Sequence, residues 1–212
     1  MMFGNLFKKN KGKENVEVKS EGKKTEDKTN EKSYDDQIDW LLDNDWLVGD
    51  EYSKNSKNIL VMDDKDDIIS AVLDDLGSLD KTNDFFLYEY NIITTTTKMA
   101  GFDVLDILEN APDVKIDFAL LDIILGGKKI VDGKRKMVDG VDVAIEIWEH
   151  FPNADILFFS GCIIEPSDDP TSFKNKFDDY TDDDLSNYML PKDIAFNEEL
   201  KRLTYFFNGY NV

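Results

Sequence analysis

Cysteine and histidine are almost missing from this chain, which carries one of each, Cys162 and His150, in 212 residues. A single cysteine permits no internal disulfide, and a single histidine excludes a histidine-cluster metal site. Reducing, cytoplasmic surroundings are the simplest fit. Positive charge is scarce too. The 25 Lys and Arg face 45 Asp and Glu, a net charge of -20, which argues against a general nucleic-acid binder because phosphates would be repelled. No apolar run approaches the roughly 20 residues of a membrane span, and the start lacks the apolar core of a signal peptide. No internal repeat is visible.

The charge that is present is uneven. Residues 1–33 hold nine lysines against six acids, so +3 at the start leaves -23 for residues 34–212. With almost nothing to bury, 1–33 reads as a disordered charged tail. Its opening places Met1, Met2, Phe3, Leu6 and Phe7 before Lys8, Lys9, Lys11 and Lys13. Such a terminus could make weak contact with an anionic membrane surface, although a flexible start is the simpler reading. Residues 34–57 change character, with Ile38, Leu41, Leu42 and Trp46 recurring near helical spacing among many acids. This spacing predicts a short acidic amphipathic helix that covers an edge of the domain, with a partner-binding helix as the second reading.

From residue 58 to 212 strand and helix patterns alternate. Strands are expected at Ile59 to Met62, Phe85 to Tyr90, Phe118 to Leu121, Asp155 to Phe159 and Tyr188 to Leu190. Helices are expected at about Asp67 to Leu76, Thr97 to Leu108, Val141 to His150 and Glu198 to Phe207, with one irregular helix in the acidic stretch 165–187. Between the third strand and the third helix, 126–140 carries the turn signal Val131-Asp132-Gly133 and reads as an inserted β-hairpin. Five alternations fit an α/β fold, a flavodoxin-like, doubly wound five-stranded parallel sheet of order 2-1-3-4-5.

That order brings together the polar residues at the carboxyl ends of the strands: Asp63 and Asp64, Asp122, Ser160 and Lys192. Ligands of open α/β sheets bind at this edge. Three crowded carboxylates need a neutralising cation, and all-oxygen ligation without histidine points to Mg²⁺. Beside such a metal, Asp122 can act as a carboxylate nucleophile toward a phosphoryl group, with Lys192 supplying opposite charge and the Ser160 hydroxyl a hydrogen bond.

These residues resemble the receiver domain of two-component response regulators. Asp63-Asp64 match its acidic pair, Asp122 its phosphoacceptor, Ser160 in FFSG its switch hydroxyl, and Lys192 in LPKD its lysine. The resemblance covers 58–207 and implies a further metal contact from the backbone carbonyl of Ile124. It also implies a histidine kinase or phosphotransfer protein as phosphodonor and a downstream protein target. Expected chemistry is limited to self-phosphorylation from a phosphodonor and autodephosphorylation. The family pattern is departed from by the hairpin, by Asp193 where a proline usually follows the lysine, and by Met189 where an aromatic residue usually stands. About twenty residues follow Lys192, so no output domain is expected. A pseudo-receiver that binds proteins without phosphorylation is the alternative. A haloacid dehalogenase-like hydrolase is disfavoured, because Asp64-Lys65-Asp66-Asp67-Ile68 lacks the threonine of its motif. The hairpin bases Lys128, Lys129, Lys134, Arg135 and Lys136 read more simply as a solvated arm than as a docking surface for an acidic partner. Cys162 and His150 are assigned no chemistry.

Overall fold

A computed structural model describes residues 32–49, 51–81, 90–123, 125, 127–131, 134–160 and 189–191. Five parallel strands form one sheet: β1 (Lys57–Met62), β2 (Tyr90–Thr95), β3 (Phe118–Leu121), β6 (Asp155–Ser160) and β7 (Met189–Pro191), in the order β2-β1-β3-β6-β7. A separate antiparallel pair, β4 (Lys128–Val131) and β5 (Lys134–Met137), is the inserted hairpin. Counting only the strands of the main sheet, this is the expected 2-1-3-4-5 order of a flavodoxin-like fold.

The central strands are apolar without alternation because both of their faces are covered. Ile59, Val61, Phe118 and Leu120 face one cluster, which includes Ile69 and Val72 of α2 (Asp66–Lys81). Leu60, Met62, Ala119 and Leu121 face the other, built with Val104, Ile107 and Leu108 of α3 (Ala100–Asn110) and Val143, Ala144 and Ile147 of α4 (Gly140–His150). Each large side chain buried in this way contributes roughly 1.5–3 kcal/mol. Helix α4 starts on a capping box: Asp139 accepts from the N–H groups of Val141 and Asp142, while the Asp142 carboxylate reaches back to the Asp139 N–H. Such a cap satisfies donors that the first turn leaves open.

Helix α1 (Tyr34–Asp43) lies on the second cluster, with Ile38 and Leu41 buried in it. The buried Gln37 amide donates to the Asp113 carboxylate at 2.7 Å and accepts from the Asp113 N–H at 3.0 Å, which ties the helix to the loop after α3. Beyond α1 the chain runs antiparallel along the outside of β2, where the Val48 N–H donates to Ile92 and the Thr94 N–H to Trp46. This segment therefore covers the edge of the sheet. Leu41 is fully buried, so Leu41→Ala should lower unfolding stability by about 2–5 kcal/mol. A urea midpoint close to that of the parent would mean that α1 is not part of the cooperative unit.

One expected element ends too early. Strand two is described over Tyr90–Thr95, reaching past the expected end at Tyr90, while 85–89 of the expected strand lie outside the described residues. Asparagine is depleted in strands, and Asn91 reads as a strand end. Here it is buried, with its amide donating to Asn58 Oδ1 at 2.7 Å and to the Ser53 carbonyl at 2.9 Å. The second helix begins at Ala100 rather than Thr97, because the Thr97 hydroxyl accepts from the Met99 N–H and donates to Asp103, forming a turn ahead of the helix. The tail over 1–31, the 165–187 stretch and the final helix at Glu198 to Phe207 lie outside the described residues. Among those described, no helix is long and apolar enough to cross a membrane.

Candidate functional site

Register alone brings the acids together. Met62 pairs with Thr95 on one side and Leu121 on the other, so β1 and β3 end level with each other. The Asp122 N–H then donates to the Met62 carbonyl at 2.8 Å, and the Asp63 N–H to the Thr95 carbonyl at 3.2 Å. One residue past each strand, the chain turns outward and presents its carboxylate at the edge. Asp63 and Asp122 are buried and Asp64 half-buried, and one oxygen from each of the three lies within 4.8 Å of the others. The Lys65 N–H donates to Asp63 Oδ1 at 3.0 Å, which holds the turn after β1.

Three carboxylates at this spacing, two of them out of water, repel one another. A small hard cation relieves that repulsion, and carboxylate oxygens are the donors that Mg²⁺ prefers. The donor set and its spacing therefore fit one divalent ion.

The wall behind Asp122 is built by close backbone contact. The Gly140 N–H donates to the Ile123 carbonyl at 3.1 Å. A Cβ on Gly140 would overlap the Asp122 carbonyl oxygen and sit 2.9 Å from its carbonyl carbon, so only glycine allows α4 to approach this closely. Gly127 is seated in the same manner on the Lys98 carbonyl and the Met99 sulfur. Both ends of the 126–140 insertion are therefore fixed, one against the start of α3 and the other against Asp122.

Of the residues expected at the site, Asp63, Asp64 and Asp122 come together. Ser160 is the last residue of β6, paired in register with Pro191 at the end of β7, immediately before Lys192. The side chain of Ser160, together with Ile124 and Lys192, lies outside the described residues.

The opposite edge of the sheet carries a second polar group that the sequence pattern did not single out. Asp117 accepts from the Asn58 N–H at 3.0 Å and from the Lys115 ammonium. The Asn58 amide donates to the Tyr52 hydroxyl at 3.0 Å, and Tyr52 shares a hydrogen bond with Tyr34. This network ties the segment after α1 to the base of β1. Beside it, burial pushes the Asp155 carboxyl above the usual carboxylate range, the charge of Asp117 adding to the effect and Lys57 and Lys115 opposing it. An acid whose folded pKa is raised holds its proton more tightly in the folded state, so stability falls as pH rises through the interval between the two pKa values. The destabilisation is present above that interval and lost below it. Asp155→Asn should therefore raise the thermal midpoint at pH 7, and the gain should vanish below about pH 4, where the unfolded carboxyl is also protonated. A midpoint at pH 7 no higher than that of the parent would refute this.

No family model matches the chain, and no curated protein matches it. Some solved structures overlap with it in part. It is similar to the RcsB response regulator of Salmonella typhimurium, at 16% identity over 74% of this chain and 63% of that one, with a TM-score of 0.45. It is also similar to the DrrB receiver domain, at 16% identity over 72% and 98% of the two chains, with a TM-score of 0.42. A third is the signal receiver domain of a modulated diguanylate cyclase from Desulfovibrio desulfuricans G20, at 19% identity over 73% and 92%, with a TM-score of 0.44. The chain thus spans just under two thirds of the first of these. Overlaps of this size decide nothing about activity, and the flavodoxin-like fold rests on the strand order of this chain itself.

Proposed function

We propose that this protein is a receiver of phosphorelay signalling, in which Asp122 accepts a phosphoryl group in a Mg²⁺-dependent reaction. The single observation that supports this reading is the convergence of Asp63, Asp64 and Asp122 at the carboxyl edge of β1 and β3, with carboxylate oxygens within 4.8 Å. Asp63, Asp64, Asp122 and the Ile124 carbonyl would hold the ion. When bound, it would neutralise the acids and draw charge from a phosphoryl oxygen.

The remaining chemistry belongs to the chain. A carboxylate oxygen of Asp122 attacks phosphorus, an O–P bond forms, and the P–N bond of a phosphohistidine breaks. The departing imidazole keeps the electron pair and takes up a proton. Lys192 and the Ser160 hydroxyl, carried over from the receiver pattern, would stabilise the phosphoryl oxygens. The phosphodonor is a histidine kinase or a phosphotransfer protein, and the signal passes to a downstream protein target rather than to nucleic acid. Partners of this class would place the protein in the cytoplasm. Turnover is limited to accepting the group and losing it to water.

Incubation with acetyl phosphate and Mg²⁺, followed by intact mass measurement, tests the reading. A hydroxylamine-labile adduct supports it. A folded protein that stays unmodified would instead be a pseudo-receiver, a binding module that keeps the fold without the chemistry.

A further inference from the structure

The inserted hairpin is an unusual thing to leave in water. A two-stranded sheet alone is marginally stable, and β4 and β5 have four residues each. Among the described residues three large apolar side chains are exposed, and two of them are here: Ile130 at 71% and Met137 at 47%. The register pairs Lys128 with Met137 and Ile130 with Arg135. Side chains alternate along a strand, so Ile130, Met137, Lys128 and Arg135 share one face and Lys129 and Lys136 the other. The second face is turned toward the body, since the Lys129 ammonium lies 5.5 Å from the centre of the Phe102 ring on α3. The first face therefore looks outward, with two apolar side chains between two cations.

Charge selects the occupant. Five bases in residues 128–136, offset only by Asp132, give +4 within a segment of the chain that otherwise makes 34–212 strongly negative. A solvated arm needs the lysines, but it does not explain the exposed Ile130 and Met137. Pairing of two hairpins with each other would set like charges against one another. We infer that the outward face of the β4–β5 hairpin is a docking surface for an acidic segment of another protein, one that alternates carboxylates with apolar side chains. Arginine and methionine are enriched in the buried centres of protein interfaces, and the flanking cations steer an acidic partner in a salt-dependent manner. Gly127 and Gly140 anchor the hairpin's two ends, the second directly on Asp122, and four extended residues reach about 13 Å. A bound partner would therefore be held close to the acidic edge. This proximity matters for the proposed phosphoacceptor role, while binding itself does not depend on it.

The test is titration of the full chain against a dye-labelled peptide that alternates glutamate with leucine, followed by fluorescence anisotropy. A matching peptide with lysine in place of glutamate is the control. Binding should be saturable, at least about tenfold tighter than to the lysine peptide, and weaker when salt is raised from about 50 to about 300 mM. Ile130→Ser with Met137→Ser, and separately Lys128→Glu with Arg135→Glu, should each weaken it about tenfold or more. These side chains are exposed, so circular dichroism should be unaltered. Peptide binding does not require phosphorylation, so a parent protein that binds the peptide but takes up no phosphoryl group would count against the functional reading and not this one. Equal binding of the two peptides, or parent-like binding by both pairs of variants, would overturn the proposal. So would a dimer of the chain alone, in sedimentation, that the serine pair dissolves, because it would assign the face to a second copy.

Discussion

Asp122→Asn should abolish the phosphoryl adduct formed from acetyl phosphate and Mg²⁺, with no residual hydroxylamine-labile mass, because an amide cannot supply the attacking oxygen. The same substitution should make the metal-free protein more stable. Asp122 is buried within carboxylate reach of Asp63 and Asp64, and removing one of three like charges relieves their repulsion. In the parent a bound Mg²⁺ would provide that relief, so Mg²⁺ at ten times its Kd should add about 1.4 kcal/mol of unfolding stability. The variant should gain much less. Asp63→Asn separates ligation from local structure, since an asparagine oxygen can still accept from the Lys65 N–H as Asp63 Oδ1 does. Its turn should persist while Mg²⁺ affinity falls at least about tenfold, as expected when a coordinating charge is lost. Thermal melts across a Mg²⁺ series, read beside intact mass, distinguish these effects. An Asp122→Asn protein that still acquires a hydroxylamine-labile adduct would remove Asp122 from the chemistry, and a parent melt indifferent to Mg²⁺ would remove the metal.

Gly140→Ala should affect both the fold and the site, and two opposing terms decide its sign. Alanine favours helix over glycine by about 1 kcal/mol, which would strengthen the first turn of α4. Against this, the new Cβ would overlap the Asp122 carbonyl oxygen, with the Asp122 carbonyl carbon at 2.9 Å and Ile123 Cα at 3.2 Å. These are backbone atoms held on both sides, by the bond from Asp122 N–H to Met62 and by the capping box of Asp139, so no flexible side chain can move aside. Overpacking of this kind costs about 1–3 kcal/mol and sometimes more, and rigid neighbours put Gly140 at the upper end. The expected net loss is about 2 kcal/mol, read as a lower urea midpoint with an unchanged slope. On the proposed function phosphorylation should slow as well, because the displaced residue is the proposed phosphoacceptor. A loss below about 0.5 kcal/mol would mean that the loop after β3 yields easily.

The parts of the fold that were legible from residues alone are those whose signal is local. Phe118–Leu121 is apolar throughout because parallel central strands are covered on both faces, and Val131-Asp132-Gly133 marks the hairpin whose strands pair around 132–133. The acidic cluster was legible for a related reason: Asp63 and Asp122 each end an apolar run, and the strand order makes those ends neighbours. What stayed hidden depends on distant partners. Nothing near Asn91 announces that Asn58, 33 residues earlier, will satisfy its amide inside the sheet, so the aromatic run before it looked the better strand. Gln37 buried against Asp113, 76 residues away, is a similar case. The outward Ile130 face was hidden too, since exposure follows from how the hairpin is seated and not from its composition.

The segment that runs beside β2 has one more consequence. With Val48 and Trp46 engaging the backbone of Ile92 and Thr94, the middle of that flank no longer presents open amide and carbonyl groups, which are what recruit a foreign chain into fibrils or strand-exchanged oligomers. Among the described residues, the other end of the strand order is β7.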